Sequence, residues 1–399
     1  MTPDHSDIVI SGGGIAGLAA AAAFGTAGFG VIIVDPAPPV TAPEAPGADL
    51  RTTAILAPGA ATLARAGLWE RLAPYAAPLA VMRIADAGGA GTNLRAIKDF
   101  TATDIGEGPF GWNLPNWLLR REMVARLAEL PGVRFLPGTG TARVLTRSTE
   151  ARIGLSDGTT LSAHLLIAAD GRASPVRRAL GIGATTLRYG QKALAFAVTH
   201  PIPHDGISTE IHRSGGPFTL VPLPDRGGKP ASSVVWMERG PEADRLAALP
   251  EAAFSAEATA RSAHVLGPLT LAAPRQLWPI VSQVAARMVG ERTALMAEAA
   301  HALPPIGAQG LNMSLADLAC LLDLAEADRA SLGSEAMLAA YQRRRHPEVI
   351  ARVLGVDALN RASMAGARPL QDLRAAGLDA LHGFAPLRRA LMRTGMGLA

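Results

Sequence analysis

Residues 8–34 read IVISGGGIAGLAAAAAFGTAGFGVIIV and carry no charged side chain. Their β-branched residues gather at the two ends, 8–10 and 31–34, with small residues between. Short continuous β-branched runs predict strands buried on both faces, and the alanine-rich middle, about 16–28, predicts a helix. A run this long could cross a bilayer, for which about 20 apolar residues suffice. Seven glycines, three of them consecutive, argue against a spanning helix. Asp4 and Asp7 stand where a secretory signal would carry basic residues. The pattern is strand, glycine turn, helix, strand.

The same arrangement recurs twice. Residues 165–169 form an apolar run ending at Asp170-Gly171, and Ser174-Pro175 supplies an N-cap and a first-turn proline for a helix. Residues 293–296 lead to Glu298, then to a loop with Pro304, Pro305 and Gly307. A helix opens at Gln309-Gly310, with Leu311, Leu315, Leu318 and Leu322 on one face. Between these segments lie β-like stretches at 193–199, 207–212, 218–222 and 232–237, separated by turn clusters at 201–203 and 224–228. They predict an antiparallel sheet. No Ser/Gly linker separates the parts and no internal repeat is present. The expected organisation is therefore interleaved α/β. Residues 1–71, 111–184 and 275–350 form a Rossmann-like cofactor domain, 72–110 and 185–274 a substrate domain, and 351–399 a C-terminal helical region.

The first turn carries chemistry. Gly12-Gly13-Gly14-Ile15-Ala16-Gly17 fits G-x-G-x-x-G, with a strand before it and a helix after it. Gly12 permits the tight turn, Gly14 lets the backbone approach a pyrophosphate, and Gly17 lets the helix pack on the strands. The helix N-terminus offers free N–H groups to the phosphates. Asp35, at the end of the second strand, is placed to accept from a ribose 2′-OH and would repel a 2′-phosphate. FAD or NAD fits this site and NADP does not; the motif does not choose between the first two. Asp170 reads equally well as a turn former or as a cofactor ligand. The N–H groups of Gly310, Leu311 and Asn312 face whatever lies before their helix, and a flavin N1–C2=O edge is such a group.

Composition narrows the picture. The chain has 399 residues, 49% of them hydrophobic, and a mean hydropathy of +0.20. One cysteine, Cys320, excludes an intrachain disulfide and any multi-cysteine metal site, and no metal is expected. Lys98, Lys192 and Lys229 are the only lysines, so arginine carries nearly all the positive charge. A net charge of +4, scattered and with aromatics at 4%, excludes a nucleic-acid partner. The expected location is cytoplasmic. The tail, 363–399, interleaves arginines with Leu387, Leu391, Met392, Met396 and Leu398. It reads as a basic amphipathic helix, either packed on the protein or in peripheral contact with the inner face of a membrane or with a partner protein.

Together and in this order, the three segments resemble the aromatic hydroxylase class of FAD monooxygenases, and within it the ubiquinone-biosynthesis hydroxylase family. AADGRASPVRRALGI is similar to the family's Asp-Gly motif, and AEAAHALPPIGAQGLNMSLAD to its Gly-Asp…Gly-Gln-Gly-Leu-Asn segment. Residues 51–55, led by Arg51, and the segment through Arg120, Met123 and Leu127 are similar to its cofactor-side stretches. The resemblance covers most of residues 5–350. Two positions depart from it: Ala297-Glu298 stands for Gly-Asp, and Ala308 for the first glycine of Gly-Gln-Gly. An alanine at 308 restricts the loop if φ is positive.

The resemblance implies a p-hydroxybenzoate-hydroxylase-like fold with FAD resident and NAD(P)H as a transiently docked co-substrate. It implies ring hydroxylation of a polyprenylated phenol by O2 through a C4a-hydroperoxyflavin, and a place in a quinone-biosynthesis protein complex. Gly12, Gly14, Gly17, Asp35, Arg51, Arg120, Asp170, Glu298, Gly310, Leu311 and Asn312 are then the expected cofactor residues. Pro305 is expected to shape the loop over the flavin ring. His301 is open to a proton-transfer or a structural role. A flavin halogenase, a prenyl reductase or a non-catalytic flavoprotein scaffold are the alternatives.

Overall fold

A computed structural model describes residues 4–88 and 94–398. The uncharged run forms the centre of a largely parallel sheet. Strand Asp4–Ser11 lies between Val31–Asp35 and Thr160–Ala168, all parallel, with Ile8 opposite Val31 on one side and Leu165 on the other. Val133–Pro137 and Thr293–Leu295 extend the parallel array on either flank. Helix Ile15–Thr26 lies on it, buried from Gly17 to Phe24. Its alanines let neighbouring helices Asn116–Ala128 and Gln309–Ala327 approach closely. No described helix is long and apolar enough to cross a membrane.

The second sheet is built around the 16-residue strand Ala184–Thr199, flanked by Gln276–Ala285 and Lys229–Arg239. Pro217–Arg226, Ile207–His212, Val81–Asp86 and Ala96–Thr101 continue it outward. Strand alternation divides its faces. Phe196, Ile211, Phe218, Leu220, Val234 and Trp236 pack on Phe254 and Leu246 of helices Glu251–Arg261 and Gly240–Ala248. The intervening residues, among them Ala193, Ala195, Glu210, Thr219, Val221 and Val235, face the first layer across a cleft. A small sheet of Thr52–Leu56, Ala77–Leu79 and Gly111–Pro115 joins the layers.

Several boundaries differ from expectation. Segment 275–350 opens with strand Gln276–Ala285, which pairs with Ala184–Thr199 in the antiparallel sheet, so the chain returns to the parallel layer only after it. The break expected at 351 falls inside one continuous helix, Glu335–Met364, which Pro347 does not end. The tail is two further helices, Arg368–Gly383 and Ala385–Met396.

Candidate active site

A cleft of about 2200 Å³ lies between the layers. It exceeds the several hundred Å³ of an ordinary small-molecule site. The glycine turn forms one end. Gly12 has φ +110°, and a Cβ there would lie 2.3 Å from the Ala169 carbonyl oxygen. A Cβ on Gly17 would lie 1.9 Å from the Gly12 carbonyl oxygen. Both glycines are demanded by the protein itself. Gly14 is different: no protein atom lies within 4 Å of its Cβ position, which opens on the cleft. Asp35 accepts from the Gly13 N–H at 2.6 Å and the Ala37 N–H at 2.8 Å, which holds its carboxylate at the cleft wall.

Further along, Asp170 Oδ2 accepts from the Val176 N–H at 3.1 Å, while its Oδ1 is buried without a partner. Burial pushes the Asp170 pKa up despite bonds from Ser174 and Val176. Arg51 and Arg120 converge on Asp49, Arg51 with two bonds of 2.7 Å and Arg120 at 3.5 Å. Asn116 adds a 3.0 Å bond to the same carboxylate. Burial would raise the Asp49 pKa, but Arg51, then Asn116 and Arg120, outweigh it and hold the carboxyl below its ordinary range. Arg51 also stacks on Trp278, 4.2 Å from the ring centroid. Glu298 is exposed to the cleft, with Arg172 at 3.4 Å.

At the other end Pro305 stands exposed on the cleft wall. Helix Gln309–Ala327 begins behind it without a side-chain cap. The N–H groups of Gly310, Leu311 and Asn312 find no acceptor among the described residues. The Asn312 side chain instead fastens the helix to strand Thr52–Leu56: Oδ1 accepts from the Leu56 N–H at 2.9 Å, and Nδ2 donates to the Ala54 oxygen at 2.8 Å.

His301 is buried, and its Nε2 lies 2.6 Å from Asp317 Oδ2. Arg345 Nε donates to the other Asp317 oxygen at 2.9 Å, and the Ala297 N–H reaches the same carboxylate at 3.3 Å. Asp49, Asn116, Arg172, Trp278, Asp317 and Arg345 are the functional surroundings that the sequence reading missed. Asp317 had a signal: a carboxylate beside Leu315 and Leu318 on the apolar stripe of a helix requires buried partners.

Both alanines that replace family glycines are left-handed, Ala297 with φ +54° and Ala308 with φ +57°. A left-handed alanine costs about 1–2 kcal/mol, partly offset by the greater freedom of glycine in the unfolded chain. Ala297→Gly and Ala308→Gly are each expected to stabilise the protein by about 0.5–1 kcal/mol, read as a raised denaturation midpoint without a change of slope.

An open glycine, three free N–H groups and paired arginines all fit a dinucleotide laid along the cleft. The antiparallel sheet supplies a second, mostly apolar wall for another molecule. This is the arrangement of a flavin-dependent monooxygenase. The chain belongs to the FAD binding domain family, which matches it over residues 5–354. It is similar to the ubiquinone hydroxylase UbiL of Rhodospirillum rubrum, 36% identical over 397 residues, covering 98% of this chain and 90% of that one. The 3-demethoxyubiquinol 3-hydroxylase of Escherichia coli is 27% identical over 408 residues, covering 100% of both chains. The crystal structure of p-nitrophenol 4-monooxygenase PnpA from Pseudomonas putida superimposes with a TM-score of 0.78 at 20% identity, over 98% of this chain and 97% of that one, and shows the fold to be shared.

Proposed function

We propose that this protein hydroxylates the aromatic ring of a polyprenylated phenol in ubiquinone biosynthesis, with NAD(P)H as reductant and O2 as oxygen source. The observation that carries the reading is one continuous cleft. It runs from the glycine turn, past an apolar wall of Met82, Ile84, Phe100, Val221 and Val235, to Leu378, Leu391 and Met396 of the tail. A polar ring with a long apolar chain matches that sequence of surfaces.

Gly12, Gly14 and Gly17 take the pyrophosphate and Asp35 the adenosine ribose. Arg51, Arg120, Asp170 and Glu298 hold the polar middle of the cofactor. The free N–H groups of Gly310, Leu311 and Asn312 stabilise negative charge on the ring edge. Pro305 limits the approach of water. His301, held by Asp317, supports the loop from beneath. Bound FAD supplies the redox chemistry, taking hydride from NAD(P)H and activating O2. No lysine lines the cleft among the described residues, which weakens the halogenase alternative.

Purified protein with FAD, NAD(P)H, O2 and a prenylated phenol is expected to yield a product heavier by one oxygen atom. A product with a saturated prenyl bond would establish a reductase. No consumption of NAD(P)H with any prenylphenol would leave a scaffold. A deletion strain with an unchanged quinone profile would refute the pathway assignment.

The tail supports peripheral contact with an anionic membrane from which such a substrate would enter. Leu373 and Phe384 are 69% and 60% exposed, and exposed Leu387 and Leu391 follow them. Arg389 and Arg393 are exposed and form no ion pair with the described residues. A basic side chain at such a surface contributes about 1 kcal/mol. Reversing both charges in R389E/R393E is expected to cut binding to anionic vesicles at least tenfold and leave FAD content unchanged. Equal binding would point to a quinone-biosynthesis partner protein instead.

A further inference from the structure

The cleft face of the antiparallel sheet is mostly apolar, and besides Asp86, which two arginines hold, it carries the pair Glu210 and His212. Glu210 and His212 lie two residues apart on strand Ile207–His212, so both point to the same face, and both line the cleft. His212 Nε2 is 2.8 Å from Glu210 Oε1, and their side chains are 12% and 7% exposed. Glu210 sits opposite Ile84 and Thr219 on the neighbouring strands. Glu210 Oε2 receives no hydrogen bond from the described residues, and it is not sealed from the cleft as Thr219 Oγ1 and His212 Nδ1 are. Nothing assigned to FAD uses this pair. A carboxylate this buried, with one partner and one free oxygen facing an apolar cleft, is costly unless a donor arrives.

We propose that Glu210 is the general base for the substrate's phenolic hydroxyl, an inference that rests on the phenol-hydroxylase reading above. As the ring carbon bonds to the incoming oxygen atom, the O–O bond breaks with its electron pair staying on the departing oxygen, and the phenolic O–H bond breaks. Its electron pair moves to the phenol oxygen and into the ring, and its proton goes to Glu210 Oε2. Loss of hydrogen as a proton from the attacked carbon restores the aromatic ring, and Glu210 returns its proton to the first hydroxyl. O2 provides the oxygen atom, and two electrons from NAD(P)H reduce the other oxygen atom to water. His212 fixes Oε1, so that Oε2 is the oxygen presented. The surrounding charges are already engaged. Asp86, on Val81–Asp86, is held by Arg95 and Arg374. Arg374, from the tail, also reaches the His212 carbonyl at 3.4 Å. Arg213 follows His212 in the chain and has partners of its own. Arg261 lies behind the sheet on the Ile211 and Gly216 carbonyls.

The test uses FAD-loaded enzyme, NAD(P)H, O2, a short-chain prenylphenol and its ring-fluorinated analogues, whose hydroxyls are more acidic. E210Q is expected to lower hydroxylation about 100-fold or more, the usual scale of a lost general base. The loss should shrink as the phenol becomes more acidic, because an ionised phenol needs no base. If E210Q does not retain FAD, E210D carries the same comparison. A variant that hydroxylates at the wild-type rate, or loses the same factor on every phenol, overturns the proposal. Wild-type enzyme that hydroxylates none of these phenols overturns the reading beneath it.

Discussion

Gly17→Ala will cost the protein both its fold margin and its FAD, whereas Gly14→Ala will cost it FAD alone. At Gly17 the added methyl would sit 1.9 Å from the Gly12 carbonyl oxygen and 3.5 Å from the Ala169 side chain. Backbone cannot yield by more than an ångström without parting the helix from the first strand. Overpacking of this kind costs about 1–3 kcal/mol, and more where the clash is with backbone. The turn proposed to hold the pyrophosphate is displaced at the same time. At Gly14 the backbone is extended, φ −68° and ψ 173°, which any residue adopts, and no protein atom lies near the new methyl. Apo-protein stability should therefore change by less than about 0.5 kcal/mol. The FAD dissociation constant should rise 100-fold or more, because the methyl occupies the phosphate's place. Thermal denaturation of the apo-proteins and titration with FAD separate the two effects. A Gly14→Ala protein that binds FAD as tightly as wild type would show that the phosphate approaches elsewhere.

The second large effect lies beneath the ring-side loop. Asp317→Asn leaves Arg345 and His301 facing a neutral amide in a buried site, and breaking a buried ion pair from one side costs about 3–5 kcal/mol. The effect carries a pH signature. Burial acts to raise the Asp317 pKa, but His301 and then Arg345 overcome it, and the net shift is downward. A carboxylate depressed in the folded state contributes stability above its unfolded pKa and loses it as pH falls through the folded value. The wild-type advantage over Asp317→Asn is thus expected to be complete near neutral pH. It should shrink below the ordinary aspartate value of 3.8, as measured by denaturant midpoints across that range. A gap that persists unchanged at low pH would mean that packing, not charge, sets the loss.

Most of the scaffold was legible because its signals are local. The 8–34 run placed two strands and a helix, with only the start of the first strand missed, at Asp4, and β-like stretches at 193–199 and 207–212 landed on observed strands. The glycine turn, Asp170 and the 309–312 helix start could be read together because each lies at or just before the start of a helix, and Asp35 because it ends the strand that follows the first helix. What could not be read was which side chains meet across distance. Asp49 joins Arg51 to Arg120, 69 positions later in the chain, through a loop with no periodicity of its own. Glu210 and His212 look like ordinary strand residues until the sheet shows which face they share. The 276–285 segment was assigned to the wrong layer because its apolar content suits either one, and only its pairing with Ala184–Thr199 decides.

That pairing has a consequence for recombination. The wall that meets the substrate is drawn from strands 81–86 and 96–101 and from the later span 184–285, and between them the chain passes through the parallel layer. No single crossover, and no contiguous cassette, can carry this wall into a relative. Chimeras exchanged at one or two joints would unite half-sheets that have never been selected to pair. Natural diversification of ring and chain preference in this architecture must then proceed by point substitution on the cleft face. Directed evolution of the protein will gain more from saturating Met82, Val221, Val235 and their neighbours than from shuffling.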